Sequence, residues 1–135
     1  DKATLITQSG PLLVTAGRLH PAFRQNSANL HIRNAVGVAT DGSVWLALSA
    51  EPVNFHESAT LFRDELGCPE ALFLDGVISQ LHAPSLGHKG GVTALGPLLA
   101  VTEAADEGDG RPVTTRKEPP AVDWWLLSGG SGCRV

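Results

Sequence analysis

No methionine occurs in the chain, which opens on Asp1. The expectation is that something preceding it has been removed, so the lack of a leader carries no weight on compartment. Cysteine is scarce too. Cys68 and Cys133 alone cannot make a disulfide framework. Cys68, between a predicted helix and a predicted strand, reads as a small buried thiol; a Cys68–Cys133 bridge would fit an oxidising compartment. Charge is thin at 18%, the net value is −4, and Arg116-Lys117 is the sole adjacent basic pair. Without a basic stripe to neutralise phosphates, a general nucleic-acid partner is excluded. No apolar run approaches the roughly 20 residues that span a bilayer.

What is present suits one soluble domain: 135 residues, 42% of them apolar, enough for a single core. The first half reads as strands and tight turns. Leu12–Thr15, Ala16-Gly17 and Arg18–His20 suggest a short hairpin around a glycine of positive φ. Pro21–Asn29 is a polar loop. Leu30–Thr40 and Ser43–Ser49 flank Asp41-Gly42, a strong hairpin signal. A helix follows over about residues 54–66. Asn54 caps it, Glu57 closes a capping box, and Phe55, Ala59, Phe62 and Leu66 form one apolar stripe. Gly67 and Pro69 stop it.

Ala71–Leu74 is then a short buried strand ending at Asp75-Gly76. Residues 83–92 read as a loop, and Thr93–Glu103 as a further β segment. Residues 106–135 form an acidic linker with Pro and Gly, then an apolar tail whose Trp124–Leu127 either docks on the domain or stands outside it. The fold class expected is α+β: a β-rich mixed sheet with hairpins and one main amphipathic helix.

Three places could carry chemistry. Asp75 ends an apolar strand before a glycine, where burial raises and turn amides lower a carboxyl pKa, either of which tunes proton transfer. The plainer alternative is a turn aspartate capping its own backbone. Arg33-Asn34 heads another apolar strand. A guanidinium there calls for an anionic partner, either Asp75 in a structural pair or a phosphate held bidentately. Gly37 in that strand suggests close approach of a backbone or ligand. Gln8-Ser9-Gly10-Pro11 reads as a turn. The five histidines lack ligand spacing, so no metal site is expected. No Gly-x-Ser-x-Gly elbow occurs.

Taken in order, these segments resemble the phosphodiester glycosidase family, in its bacterial branch. Gln8–Val14 with Gly17 and His20-Pro21-Ala22-Phe23 is similar to a "QSGPxLV…G…HPxF" stretch. Ile32–Val38 resembles "RNGVGV", with Ala35 where glycine is usual. Asn54-Phe55 and the helix resemble "NFxxxAxLFRxxL", Leu74-Asp75-Gly76 with Ser79 matches "LDGxIS", and Gly96-Pro97 resembles a closing "GP" strand. Residues 1–105 would then be the C-terminal portion of the family's domain, whose upstream half is missing from this chain.

The resemblance implies hydrolysis of a sugar joined glycosidically to phosphate, in a secreted or periplasmic protein, with no cofactor. It implies that Asp75 acts as acid/base or nucleophile and that Arg33 contacts the phosphodiester. Gly76 and Ser79 would shape the wall, while Asn34 and Gln8 would bond the sugar. The expected partners are a glycan or sugar-phosphate ligand and the missing N-terminal half. The arrangement requires Arg33 and Asp75 to face one solvent-reachable hollow. The alternatives are a non-catalytic module binding carbohydrate or envelope polymer, and an inactive fragment.

Overall fold

Residues 8–75, 78–84, 87–91, 93–94, 99 and 124–129 are described in a computed structural model, Asp75 and 124–129 by their backbone alone. Two hairpins come first. β1 (Leu12–Thr15) turns into β2 (Arg18–Leu19), and β3 (Asn34–Val38) turns into β4 (Val44–Ser49). Helix α1 (Phe55–Thr60) follows, and β5 (Glu70–Asp75) then inserts between β1 and β3. A separate ribbon pairs β6 (His82–Ala83) with β7 (His88–Lys89), and β8 (Trp124–Gly129) lies against β4. The main sheet runs β2-β1-β5-β3-β4-β8 with every pairing antiparallel. The α+β class stands.

Local chemistry explains the turns. Ala16 and Gly17 both adopt positive φ, 48° and 72°, giving the two-residue turn whose twist matches its strands. An alanine there is strained, and hydrogen bonds hold the turn in place. Gly17 N–H donates to the Pro69 carbonyl at 3.0 Å and Ala16 N–H to Glu70 Oε1 at 2.8 Å. The second hairpin closes over Thr40–Gly42, with Ala39 N–H donating to the Ser43 carbonyl at 2.9 Å and Gly42 at φ 85°. It therefore has a three-residue loop with glycine at the left-handed position.

The capping box forms as expected: Glu57 N–H donates to Asn54 Oδ1 at 2.9 Å and Asn54 N–H to Glu57 Oε2 at 2.8 Å. The helix differs from expectation in its second half. Leu61–Glu65 is π-helical, with Leu66 N–H reaching the Leu61 carbonyl at 3.0 Å. The wider turn keeps Phe62 and Leu66 on the buried side, at 0% and 7% exposure. Gly67, at φ 62°, ends it.

Ala35, Ala47, Ala71 and Phe73 present one buried sheet face to this helix. Gly37 belongs to that face: a Cβ there would lie 2.8 Å from Phe62 Cε1 and 3.1 Å from Cys68 Cβ. The close neighbour expected at Gly37 is thus a side chain of the core. Between β1 and β5 the register slips, Leu12 facing Leu72 and Val14 facing Ala71. Leu13 is the extra residue, and both it and Val14 are fully buried, as a bulge allows where strict alternation would not.

Two further expectations change. The loop at 83–92 contains the β6–β7 ribbon, braced by Gln80 Oε1 accepting from Gly91 N–H at 3.0 Å; strands of two residues are too short to show alternation. Of the expected β segment Thr93–Glu103, the described residues Thr93, Ala94 and Leu99 belong to no strand, and the rest lies outside the described residues. So does the linker 106–121. Trp124–Leu127 docks, as part of β8.

Candidate functional site

Because β1 and β3 run together and β5 runs against both, the starts of β1 and β3 and the end of β5 share one end of the sheet. Asn34, the first residue of β3, lies in register with Asp75, the last of β5. The next pair inward is Ala35 with Phe73, which leaves Leu74 as an extra residue. A bulge of this kind locally re-aims the strand and is frequent beside active sites. On the other flank the Pro11 carbonyl accepts from Phe73 N–H at 3.2 Å, so the segment Gln8–Gly10 enters the sheet at this end. The sheet therefore brings together the backbones at 11, 34 and 75. Gly76 lies outside the described residues, as does the Asp75 side chain.

Arg33 occupies a different environment from the one expected. It is 2% exposed, so its guanidinium does not open onto a solvent-reachable hollow. Nε donates to the Val53 carbonyl at 2.8 Å, and one terminal nitrogen donates to the Asn29 carbonyl at 3.0 Å and Asn29 Oδ1 at 2.9 Å. The planar cation lies 3.7 Å from the Phe55 ring centroid and 5.5 Å from that of Phe73. Phe23 stacks on Phe55 beyond it. In these described contacts carbonyl oxygens and π faces meet the cation and stabilise it out of water; one expected partner, the Asp75 carboxylate, lies outside the described residues. Burial pushes its pKa down from the ordinary value. Its backbone is fixed as well: Arg33 N–H donates to Ser49 Oγ at 2.8 Å and Ser49 N–H to the Arg33 carbonyl at 2.9 Å. Arg33 therefore anchors the entry of β3 to the loop before it and the segment before α1.

Gln8 is exposed and Asn34 half-buried. Ser79 is half-buried, with its Oγ shielded from solvent and without a hydrogen-bond partner among the described residues; the same holds for Ser9. Such a hydroxyl costs about 1–3 kcal/mol unless something else bonds it. The sequence did not single out Ser9 alone, nor Asn29 and Val53 as the residues that hold Arg33. Their separations from Arg33, 4 and 20 residues, leave no local pattern to read.

Among the described residues no three His, Cys, Asp or Glu side chains gather as a metal site, and no helix is long and apolar enough to cross a membrane. Cys68 is a free, buried thiol; burial first, then the Asp41 charge, pushes its pKa up to about 11.

The family model described as phosphodiester glycosidase matches residues 1–115. An uncharacterized protein of Escherichia coli K12, YigE, is 36% identical over 75 residues, covering 56% of this chain and 30% of that protein. The chain thus matches less than a third of that relative's length. No solved structure matches.

Proposed function

Because the chain belongs to the phosphodiester glycosidase family, we propose that it supplies one wall of a site that hydrolyses a sugar–phosphate glycosidic bond. The observation that carries this reading is the pairing of Asn34 with Asp75 at a bulged sheet end, with Gln8–Pro11 alongside. In this reading the bond between the anomeric carbon and the phosphate oxygen breaks, and the phosphate monoester leaves with the electron pair. Water adds its oxygen to the sugar and gives up a proton. A phosphate monoester leaves readily, so the protein chiefly stabilises positive charge at the sugar and orients the water.

Asp75 serves as acid/base or nucleophile; Asn34, Gln8, Gly76 and Ser79 line the substrate. Arg33 acts through position: it fixes the β3 entry that carries Asn34, and lends positive potential near the phosphate without touching it. Glycoside hydrolysis ordinarily uses two carboxylates, and among the described residues this sheet end contributes one, so the reading calls for a second from outside them. The same reading has the parent protein act outside the cytoplasm, in the periplasm or secreted.

The test is turnover of a nitrophenyl glycosyl phosphate or a UDP-sugar by the full-length protein and its Asp75→Asn variant. Loss of about 100-fold or more in kcat is expected for removal of an acid–base group. Equal turnover in both would remove Asp75 from the mechanism. The single carboxylate at this sheet end among the described residues also favours a second reading, a carbohydrate-binding module without catalysis. Glycan binding with no product after long incubation would select it.

A further inference from the structure

We propose that the Ser9 hydroxyl is a further ligand-binding group of this site, hydrogen-bonding a substrate oxygen, either a sugar hydroxyl or a phosphate oxygen. The inference rests on the glycosidase reading for the nature of the ligand, but its evidence is separate. Among the described residues the other buried polar side chains are matched. Ser49 Oγ accepts from Arg33 N–H, Ser58 Oγ donates to the Asn54 carbonyl at 3.2 Å, and Asn54 both caps α1 and donates to the Gln25 carbonyl at 3.1 Å. Two hydroxyls, those of Ser9 and Ser79, are shielded and unmatched among the described residues. Native folds rarely leave such groups alone without a water, an ion or a ligand to meet them.

Their placement is the second observation. Pro11 faces Phe73 through the 3.2 Å hydrogen bond. Ser9 precedes Pro11 by two residues, ahead of β1, and Asp75 follows Phe73 by two at the end of β5, so each lies within about 7 Å of chain from that hydrogen bond. Ser79 follows Asp75 by four residues, a reach of at most ~14 Å. The backbone beside Ser9 also borders open space, since a Cβ added at Gly10 would meet nothing within 4 Å. Both orphan hydroxyls therefore lie within a short length of chain of the β5 end that carries Asp75, with open space beside the backbone next to Ser9. A serine hydroxyl donates once and accepts twice, so it suits a phosphate oxygen as donor and a sugar hydroxyl as either.

The experiment compares full-length wild type with Ser9→Ala and Ser9→Cys, the latter keeping the shape while weakening the donor. Melting temperature, KM and kcat on a UDP-sugar, and inhibition by inorganic phosphate are measured. The expected result is a melting temperature equal to or above wild type, because an unmatched hydroxyl is removed, together with a roughly tenfold rise in KM for one lost hydrogen bond. A weaker phosphate inhibition in step with KM assigns the hydroxyl to phosphate; unchanged inhibition with raised KM assigns it to the sugar. Wild-type KM and kcat in both variants overturns the proposal, and so does a melting temperature several degrees lower in Ser9→Ala, which would reveal a protein partner. If the wild type turns over no sugar-phosphate, the glycosidase reading fails by itself. Binding of glucose 1-phosphate to wild type and Ser9→Ala then decides this one, equal affinity overturning it.

Discussion

Replacing Arg33 separates a residue that holds the fold from one that grips a substrate. Arg33→Ala removes three charged hydrogen bonds, to the Val53 carbonyl and to the two oxygens of Asn29, and a cation stacked 3.7 Å from the Phe55 centroid. Asn29 is exposed and rehydrates. Val53 is fully buried, and its carbonyl keeps one partner, His31 N–H at 3.1 Å. Hence the hydrogen bonds together contribute about 2 kcal/mol rather than their nominal sum. The desolvated cation–π contact adds about 2 kcal/mol. The expected loss of ~4 kcal/mol is a large share of a typical stability of about 5–15 kcal/mol.

Arg33→Lys retains charge but not the planar fork, so about half that loss is expected. Urea denaturation of the full-length protein, followed by circular dichroism, measures both, alongside KM on a UDP-sugar. The reasoning fails if Arg33→Lys keeps the wild-type denaturation midpoint while KM rises tenfold. That outcome would put the guanidinium on the ligand.

Further outcomes follow from the packing and the caps. Gly37→Ala would drive a methyl group into Phe62 and Cys68 and should cost about 1–3 kcal/mol in urea denaturation; pairing it with Phe62→Leu should recover part of the loss. Asn54→Ala removes the cap of α1 and the hydrogen bond to Gln25, lowering stability by about 2 kcal/mol in the same assay. Cys68, with its pKa raised from 9.0 to about 11, keeps its proton in the folded chain where the unfolded chain loses it. Its contribution therefore falls as pH climbs from 9 to 11, and the native thiol should resist alkylation at pH 8 while Cys68→Ser abolishes the alkaline decline.

Much of this architecture was legible because it is written locally. Asn54 with Glu57 and Gly67 bracket the helix, and Asp41-Gly42 closes the second hairpin. The pattern could not reveal that the helix widens at Leu61, since a π turn keeps the same apolar residues inward. Nor could it find the bulges at Leu13 and Leu74, which depend on which strands become neighbours. The same limit governs the site. Arg33 and Asp75 stood out as charged residues at the ends of apolar strands, but the surroundings of Arg33 come from Asn29, Val53, Phe55 and Phe73. That long-range set gives Arg33 an anchoring role that no local pattern announced. Ser9, in a motif that reads as a turn, gained meaning once its shielding was known.

The late arrival of β5 has a consequence for how the chain is made. Until residue 75 leaves the ribosome, the first hairpin and the second each carry a naked strand edge, on β1 and on β3, waiting for the same filler. Strand edges of this kind recruit whatever extended peptide is nearby. Synthesis that stalls before Glu70 would thus leave two adhesive ribbons, and the strand that joins them ends on the residue proposed for catalysis. The joining of the two hairpins and the arrival of the proposed carboxylate come due together.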